Sequence, residues 1–394
     1  MSESEYRNSE PDDFEVEISD LPESEDGAGR KSSWISRKVL QWQRSLSRRS
    51  WRRAVTIVTP VLVTMAALII VSSIYSGIST APGRPTLVTP TTNNTRYFDR
   101  RTFRAHPNSI YTGHQDFVTS LDWSPDDTRL ASGSRDGTVR IWDIRAGKTT
   151  LIYRGHRNEV RTVAWSPNGK MVASAGRDGT VQVWNAQTGQ RLFVYDDNYK
   201  PIYSVSWSPD GTRLAFGEDD GTVQVWNVIL HQHLLTYHGH SVTVLAVAWS
   251  PDGTRLASGG IDRTVRVWDA RTGMTLLVYF GHSDLVYAIA WSPDGTRLAS
   301  SSFDTSVQVW DARTGKTQLV YQGHTEQVYN IAWSPDGTQI VSGSEDGTAQ
   351  VWDAFTGRRL LTFLSQSIAV AWSPDETLIA TGGADNMVKI WWVG

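Results

Sequence analysis

A single stretch of sequence recurs seven times between about residue 108 and the carboxyl terminus. Its middle copy, residues 247–269, reads VAWSPDGTRLASGGIDRTVRVWD. The tryptophan of its Trp-Ser-Pro motif returns after 42 residues five times and then after 39, at Trp123, Trp165, Trp207, Trp249, Trp291, Trp333 and Trp372. A fixed period of this length predicts stacked units, each of which buries its apolar faces against its neighbours.

Within one unit, apolar and polar residues alternate, as Val265 and Val267 do around Arg266. This period of two predicts β-strands. Turn-forming residues interrupt the pattern at 250–253, 260–263 and 271–273, because Gly, Pro, Asp and Ser supply turn dihedrals or local hydrogen bonds. The breaks leave four predicted strands, at residues 244–249, 254–258, 264–269 and 275–279. Four short strands per unit are typical of one blade of a β-propeller.

Several residues at fixed places in the unit carry a family resemblance. In the middle copy they are the Gly-His pair at 239–240, Trp249, Asp262 and the closing pair Trp268-Asp269. This pattern resembles the WD-repeat family and covers residues 108–394, seven times over. The resemblance implies an all-β fold, a seven-bladed propeller of four-stranded blades that serves as a binding platform. The resemblance does not identify the binding partner, because one fold serves many functions.

The resemblance also implies that a histidine, a serine, the turn aspartate and the closing tryptophan form a hydrogen-bonded set in each typical unit. Five units carry all four residues: His114, Ser132, Asp136, Trp142; His156, Ser174, Asp178, Trp184; His240, Ser258, Asp262, Trp268; His282, Ser300, Asp304, Trp310; and His324, Ser342, Asp346, Trp352. Such residues also suggest a hydrolase. A catalytic group would be one distinct, exposed copy, so recurrence in five units favours a structural role and no catalytic residue.

Two units depart from this pattern. The third has Asn198 and Phe216 where histidine and serine are expected, and the seventh lacks the Gly-His pair and is shorter. We expect both blades to be less firmly held. His231, His233 and His238 follow one another closely, but without cysteine or a fixed carboxylate partner they favour a surface or packing role over a metal site. We therefore expect no metal and no cofactor.

The propeller should be closed by its own first strand. Residues 109–112 precede the first Gly-His pair and have the character of an outer strand, whereas the last unit ends just after its third strand. An unpaired sheet edge is a liability. We therefore predict that residues 109–112 pair with the last unit and complete the ring.

The amino-terminal part of the chain differs in composition. Residues 1–29 are acidic and predicted to be disordered. Residues 30–53 are basic and contain a helical apolar face, which predicts either contact with an anionic lipid surface or a flank that only sets orientation. Residues 54–78 are uncharged and predict a transmembrane helix rather than a cleaved signal peptide. The Pro/Thr-rich segment 79–107 predicts a stalk.

The charge asymmetry around the predicted span sets an orientation. Positive charge lies almost entirely on its amino-terminal side, and basic flanks stay in the cytoplasm. The sequence therefore predicts a single-pass protein of the cell membrane, with a cytoplasmic amino terminus and an extracellular propeller.

Comparison of the units with each other predicts a binding face. Three positions vary most: the third and fifth residues after the histidine and the residue before the turn aspartate. Units one and two place charge there, mainly basic, as at Arg135, Arg161 and Arg177. The apolar and aromatic residues at these positions are the predicted partner-binding residues: Phe117, Tyr203, Leu245, Ile261, Leu285, Tyr287, Phe303 and Tyr329. The alternative is that they only plug the mouth of the channel.

Three functions remain compatible with the sequence. The first is a membrane-anchored, non-enzymatic platform that binds a protein or peptide on the narrow propeller face, with or without relaying occupancy to the cytoplasmic tail. The second is a purely architectural surface protein. An enzyme is disfavoured because no unit contains an unrepeated catalytic group. The formal net charge of -3 argues against nucleic acid as a partner.

Overall fold

The computed structural model describes residues 107–196 and 200–393. The predicted acidic tail, basic segment, membrane span and nearly all of the stalk lie outside the described residues. Within residues 107–196 and 200–393, no helix has the length and apolar character that a bilayer crossing requires.

The described residues form seven antiparallel sheets of four strands each. The innermost strands are β2 (Val118–Trp123), β6 (Val160–Trp165), β10 (Ile202–Trp207), β14 (Val244–Trp249), β18 (Val286–Trp291), β22 (Val328–Trp333) and β26 (Ser367–Trp372). The second strands are β3 (Arg129–Ser134), β7 (Met171–Gly176), β11 (Arg213–Glu218), β15 (Arg255–Gly260), β19 (Arg297–Ser302), β23 (Gln339–Ser344) and β27 (Leu378–Gly383).

The third strands are β4 (Val139–Asp143), β8 (Thr180–Asn185), β12 (Val223–Asn227), β16 (Val265–Asp269), β20 (Val307–Asp311), β24 (Thr348–Asp353) and β28 (Met387–Trp392). The outermost strands are β5 (Lys148–Tyr153), β9 (Arg191–Asp196), β13 (Gln232–Tyr237), β17 (Thr275–Tyr279), β21 (Thr317–Tyr321), β25 (Arg359–Leu364) and β1 (Ser109–Thr112). The innermost strand of each blade contacts that of the next, and β26 contacts β2. The seven blades therefore form a closed ring, as predicted.

The hydrophobic core lies between blades rather than within them. Trp249 of the fourth blade is buried together with Val223 and Val225 of the third, and each of the other interfaces contains an equivalent tryptophan. At several interfaces the indole also donates to the neighbouring backbone, as Trp291 Nε1 does to the Ala248 oxygen at 3.1 Å. This arrangement explains the strict spacing of the Trp-Ser-Pro motif, because each unit supplies the indole of this motif to one interface.

The ring is closed by strand β1, as the sequence predicts. β1 pairs antiparallel with β28, with Ser109 opposite Ile390 and Thr112 opposite Met387. Tyr111 is buried, and its ring centroid lies 5.2 Å from that of Trp142 in the first blade. β1 therefore completes the sheet of the last blade and packs against the first.

The two ends of the blades form two faces. The loops that carry the Gly-His pairs and the turns that carry the set aspartates lie at one end of the strands, which we call the Gly-His face. The Ser-Pro turns lie at the other end, the Ser-Pro face. Asn108 donates its backbone N–H to the Ile390 oxygen at 2.7 Å and accepts from the Trp392 N–H at 3.2 Å. The chain therefore enters the propeller at the Ser-Pro face.

Removal of β1 tests the closure. We expect deletion of residues 96–113 to leave the amides of β28 unpaired and the Trp142 ring uncovered, which favours edge-to-edge association. Size-exclusion chromatography with light scattering should detect aggregates, and the melting temperature should fall. Deletion of residues 96–106 alone is the matched control and should change neither the oligomeric state nor the melting temperature. A truncated chain that stays monomeric with unchanged melting would contradict this role of β1.

Candidate binding face and its supporting hydrogen-bond sets

The fourth blade shows the geometry of the predicted hydrogen-bonded set. His240 Nδ1 lies 2.9 Å from Asp262 Oδ2, and His240 Nε2 lies 2.8 Å from Ser258 Oγ. Trp268 Nε1 donates to the same serine oxygen at 3.3 Å. The aspartate also accepts from the Thr264 hydroxyl at 2.8 Å. The set therefore ties the loop before the blade to its second and third strands.

The same contacts recur in the other four units that carry the residues. The histidine to aspartate distances are 2.9, 3.0, 2.8 and 2.7 Å for His114, His156, His282 and His324. The serine of every set is fully buried, and its oxygen contacts both the histidine and the indole N–H. A nucleophile must reach its substrate, whereas these serine oxygens are enclosed by their own partners.

The set aspartates are held in their ionised form. Burial alone would raise the pKa of Asp178, but the hydrogen bond and charge of His156 lower it to about 2. The pKa of Asp346 is lowered to about 2 in the same way by His324. The pKa of Asp262 also lies well below its usual range. Hydrogen bonds to the charged form of a carboxyl have this effect. Each carboxylate is therefore charged at neutral pH and accepts several hydrogen bonds at once.

The third and seventh blades lack the histidine, and their buried polar groups form other hydrogen bonds. In the third, buried Glu218 accepts from the Thr222 hydroxyl at 2.7 Å, and Phe216 packs against Tyr195 with ring centroids 4.6 Å apart. In the seventh, Trp391 Nε1 donates to Thr381 Oγ1 at 2.9 Å, and Ser365 Oγ lies 3.0 Å from the same atom. Asn198, the residue predicted to replace the histidine of the third unit, lies outside the described residues.

Substitution of one set aspartate tests the structural role. Asp262→Ala leaves the His240 Nδ1 and the Thr264 hydroxyl without their acceptor, so we expect the free energy of unfolding to fall by about 1 to 3 kcal/mol. Asp220→Ala is the matched control, because Asp220 holds the same position in the blade without the histidine and is exposed. Urea unfolding should show a larger loss for Asp262→Ala. Loss of an enzymatic activity without loss of stability would instead favour catalysis.

The central channel opens at the Gly-His face into a cavity of about 470 Å³. All seven blades contribute to its wall. Among the predicted partner-binding residues, those that line the cavity are Phe117, Tyr203, Leu245, Tyr287 and Tyr329. Ile261, Leu285 and Phe303 do not line it. The Phe303 ring contacts the rings of Tyr287 and Tyr329, which line the cavity. Ile261 is 44% exposed at the surface, whereas Leu245 in the cavity wall is only 9% exposed. The predicted set therefore divides between the cavity wall and the surrounding rim.

A β-bulge at the start of every innermost strand explains which side chains reach the cavity. In the fourth blade, Val244 pairs with Gly260 and Ala246 with Gly259, so Leu245 is the extra residue. All seven bulged residues line the cavity: Thr119, Arg161, Tyr203, Leu245, Tyr287, Tyr329 and Ile368. A bulge redirects a side chain away from the regular alternation. In the five units that have the Gly-His histidine, the bulged residue is the fifth residue after it.

The other two variable positions meet at the rim. In six of the seven blades, the residue before the turn aspartate donates its backbone N–H to the carbonyl of the residue at the third position after the histidine or its equivalent, as Phe303 does to Leu285 at 3.1 Å and Arg135 to Phe117 at 2.9 Å. Because one backbone hydrogen bond joins them, the two positions lie side by side around the mouth. The variable positions of the repeat therefore converge on one surface, which we call the channel mouth.

Three aromatic side chains from the fifth and sixth blades form a cluster at the mouth. The Tyr287 ring is stacked against that of Phe303 with centroids 5.6 Å apart, and the Tyr329 ring meets both edge-on at 4.9 and 5.1 Å. Aromatic pairs in this geometry are favourable. All three side chains remain partly exposed. The cluster therefore offers a preformed apolar surface to a ligand.

The histidines considered as metal ligands make other contacts. The His231 ring lies 5.0 Å from that of Phe193, and His233 Nε2 lies 3.0 Å from Gln224 Oε1. Among the residues that the structure describes, no group of three His, Cys, Asp or Glu side chains is arranged to hold a metal ion.

Sequence comparisons agree with the repeat geometry. The family "WD domain, G-beta repeat" matches residues 102–143, 273–311, 315–353 and 358–391. A second family, "WDR90, 4th beta-propeller", matches residues 159–289. The two families together cover most of the seven units.

Curated relatives match over short segments. The chain is 35% identical to the target of rapamycin complex subunit LST8 of Saccharomyces cerevisiae over 60 residues, which are 15% of this chain and 20% of that protein. It is 45% identical to the ribosome biogenesis protein ERB1 of the same organism over 58 residues, 14% of this chain and 7% of that protein. A third match is protein HIRA of Zea mays, 48% identical over 42 residues, 11% of this chain and 4% of that protein. The matches span a fifth or less of these relatives.

The repeat geometry, the closed ring of seven blades and the family matches lead to one conclusion. The chain carries WD40 repeats that fold as a seven-bladed β-propeller.

Proposed function

We propose that this protein is a membrane-anchored, non-enzymatic interaction platform whose propeller binds a protein or peptide partner at the channel mouth. The observation that carries the proposal is the convergence of the variable positions of otherwise uniform units on one cavity. Packing did not dictate these residues, since the frame around them is nearly constant. A concave, partly apolar site with a few polar groups is the usual form of a binding site.

The composition of the mouth favours a protein partner. Tyr287, Phe303 and Tyr329 supply aromatic surface on one side of the mouth, and charged residues lie around the rest of it. Protein interfaces are enriched in aromatic residues and arginine at the core and are polar at the rim. The names of two relatives point the same way, since LST8 is named as a subunit of a complex and a second relative, of Botryotinia fuckeliana, as subunit I of eukaryotic translation initiation factor 3.

The charge pattern of the amino-terminal region supports membrane anchorage. The uncharged run 54–78 is long enough to span a bilayer as a helix, and the basic segment 30–53 before it favours a cytoplasmic amino terminus and contact with anionic lipid. The propeller is then extracellular. Because Asn108 lies at the Ser-Pro face, the chain joins the propeller on the side opposite the channel mouth.

Two alternatives remain. A purely architectural surface protein would self-associate through the propeller without a separate ligand, and analytical ultracentrifugation of the full chain in detergent detects this. A sensor would relay occupancy of the mouth to the tail 1–29.

An enzyme is disfavoured, because the only repeated His-Ser-Asp arrangements within the described residues are buried in five equivalent copies.

Substitution of the aromatic cluster tests the binding site. We expect Tyr287→Ala and Phe303→Ala each to weaken partner binding by about 1 to 4 kcal/mol, as the loss of a central anchor does. Affinity of the purified full chain for partners recovered by proximity labelling is the measurement. Leu276→Ala, an exposed apolar residue on outer strand β17, is the matched control and should have no effect. Unchanged affinity in both mouth variants would contradict the proposed site, and unfolding of both would assign Tyr287 and Phe303 to the core instead of the binding face.

Protease treatment of intact cells tests the orientation. If the propeller is extracellular, we expect an added protease to cut within residues 82–95 and release the propeller into the medium. Immunoblotting of medium and cell pellet is the measurement, and detergent-permeabilised cells are the control for cleavage of the tail. A propeller that stays protected until permeabilisation would reverse the orientation.

A further inference from the structure

The two sides of the channel mouth differ in chemistry. The first and second blades supply three arginines, Arg135, Arg161 and Arg177, of which Arg135 and Arg161 line the cavity. The fifth and sixth blades supply the aromatic cluster described above. A ligand that fills the cavity therefore meets guanidinium groups on one side and aromatic rings on the other.

The arginines carry more hydrogen-bond donors than the surrounding residues satisfy. One carboxylate, that of Glu159, serves both Arg161 at 2.8 Å and Arg177 at 3.3 Å. Arg135 lies 4.5 Å above the Phe117 ring and forms no ion pair within the described residues. The buried Nε atoms of Arg135 and Arg161 also have no hydrogen-bond partner there. Because the Arg135 side chain makes neither an ion pair nor a hydrogen bond within residues 107–196 and 200–393 and lines the cavity, its terminal guanidinium nitrogens can donate to an acceptor on a ligand.

The other acidic residues near the mouth are already engaged. Glu345 accepts from the Tyr329 hydroxyl at 3.2 Å, and Asp219 accepts from the Tyr203 hydroxyl at 3.3 Å and from Thr243 at 3.1 Å. The influence of the arginines extends across the cavity to the fifth blade: burial raises the pKa of Tyr287, and the charges of Arg161 and Arg135 oppose that rise. The cavity lining therefore carries guanidinium groups on the side of the first and second blades and the carboxyl groups of Glu345 and Asp346 on the side of the sixth, so an anion is favoured beside Arg135 and Arg161.

We infer that the partner presents an anionic side chain beside an apolar one, with the anion bound by Arg135 and Arg161 and the apolar group against Tyr287, Phe303 and Tyr329. This inference rests on the proposed function and names the chemistry of the partner. Guanidinium groups bind carboxylates and phosphates in a bidentate manner, so the anion is a carboxylate or a phosphate. A cavity of about 470 Å³ admits side chains of a loop or chain end rather than a folded element.

Degenerate peptide libraries test this inference. The purified full chain in mild detergent is applied to immobilised hexapeptides whose third residue is fixed as Glu, Gln, Lys or phosphoserine, with all other positions randomised, and the retained protein and bound sequences are measured. We expect the Glu library to be retained about tenfold better than the Gln library, as one charged hydrogen-bonded contact predicts, with apolar residues enriched beside the Glu. A still stronger preference for phosphoserine identifies phosphate as the anion.

Variants separate the two sides of the mouth. Arg135→Gln and Arg161→Gln should each remove most of the preference for the anion, whereas the double variant Y287A/F303A should keep it and lose the apolar enrichment. Arg313→Gln, an exposed arginine in a turn of the Ser-Pro face, is the matched control. Thermal unfolding of each variant verifies that it is folded.

The outcomes distinguish this inference from the proposed function. Equal retention of the Glu, Gln and phosphoserine libraries, retention of none of them, or an unchanged preference in both arginine variants overturns the anion assignment. If Y287A/F303A still weakens capture of the partner in that case, the binding platform stands and only its ligand chemistry is wrong. If the aromatic variants also leave capture unchanged, both the site and the assignment are wrong.

Discussion

The inter-blade tryptophan is the contact on which the ring depends. Its indole is buried between two blades, and at four interfaces an arginine of the preceding blade lies over it, with the guanidinium carbon 4.4 to 4.7 Å from the ring centroid. The same arginine donates to a turn carbonyl of the next blade, as Arg297 does to Gly337 at 2.9 Å. Because no blade encloses its own tryptophan, no blade is stable alone, and seven units form one cooperative domain.

This dependence explains how much of the fold could be predicted from the sequence. The spacing of one residue type determines the number of blades, and the turn residues determine the strands to within about two positions: the predicted strand 254–258 is Arg255–Gly260 in the structure. The extra strand at residues 109–112 and the absence of a fourth strand in the last unit together predict that the ring is closed by pairing of the first strand with the last blade. Pairing of the arginine with the tryptophan of the next blade was not predictable, because the pattern of one unit contains no information about contacts between units.

The binding face was predictable in part for the same reason. Comparison of the units identifies the variable positions, but only the backbone determines which of them face the cavity. The bulge sends Tyr287 inward and leaves Leu285, two residues earlier, at the rim, and a simple alternation of strand residues cannot anticipate that shift. The availability of Arg135 and Arg161 was equally hidden, since it depends on contacts in space: Arg161 shares the carboxylate of Glu159 with Arg177, and Arg135 lies over the Phe117 ring.

The pairing of β1 with β28 also determines how the propeller responds to mechanical load. If a partner holds the propeller at the channel mouth, tension on the chain ahead of Asn108 acts from one face to the other and so along β1, and it then loads the paired residues Ser109 to Thr112 together. A strand pulled in this shear direction resists more force than one that is peeled from its end. The strand that closes the ring is thus also the one through which the ring would be pulled, with Tyr111 anchored against the first blade as a further restraint.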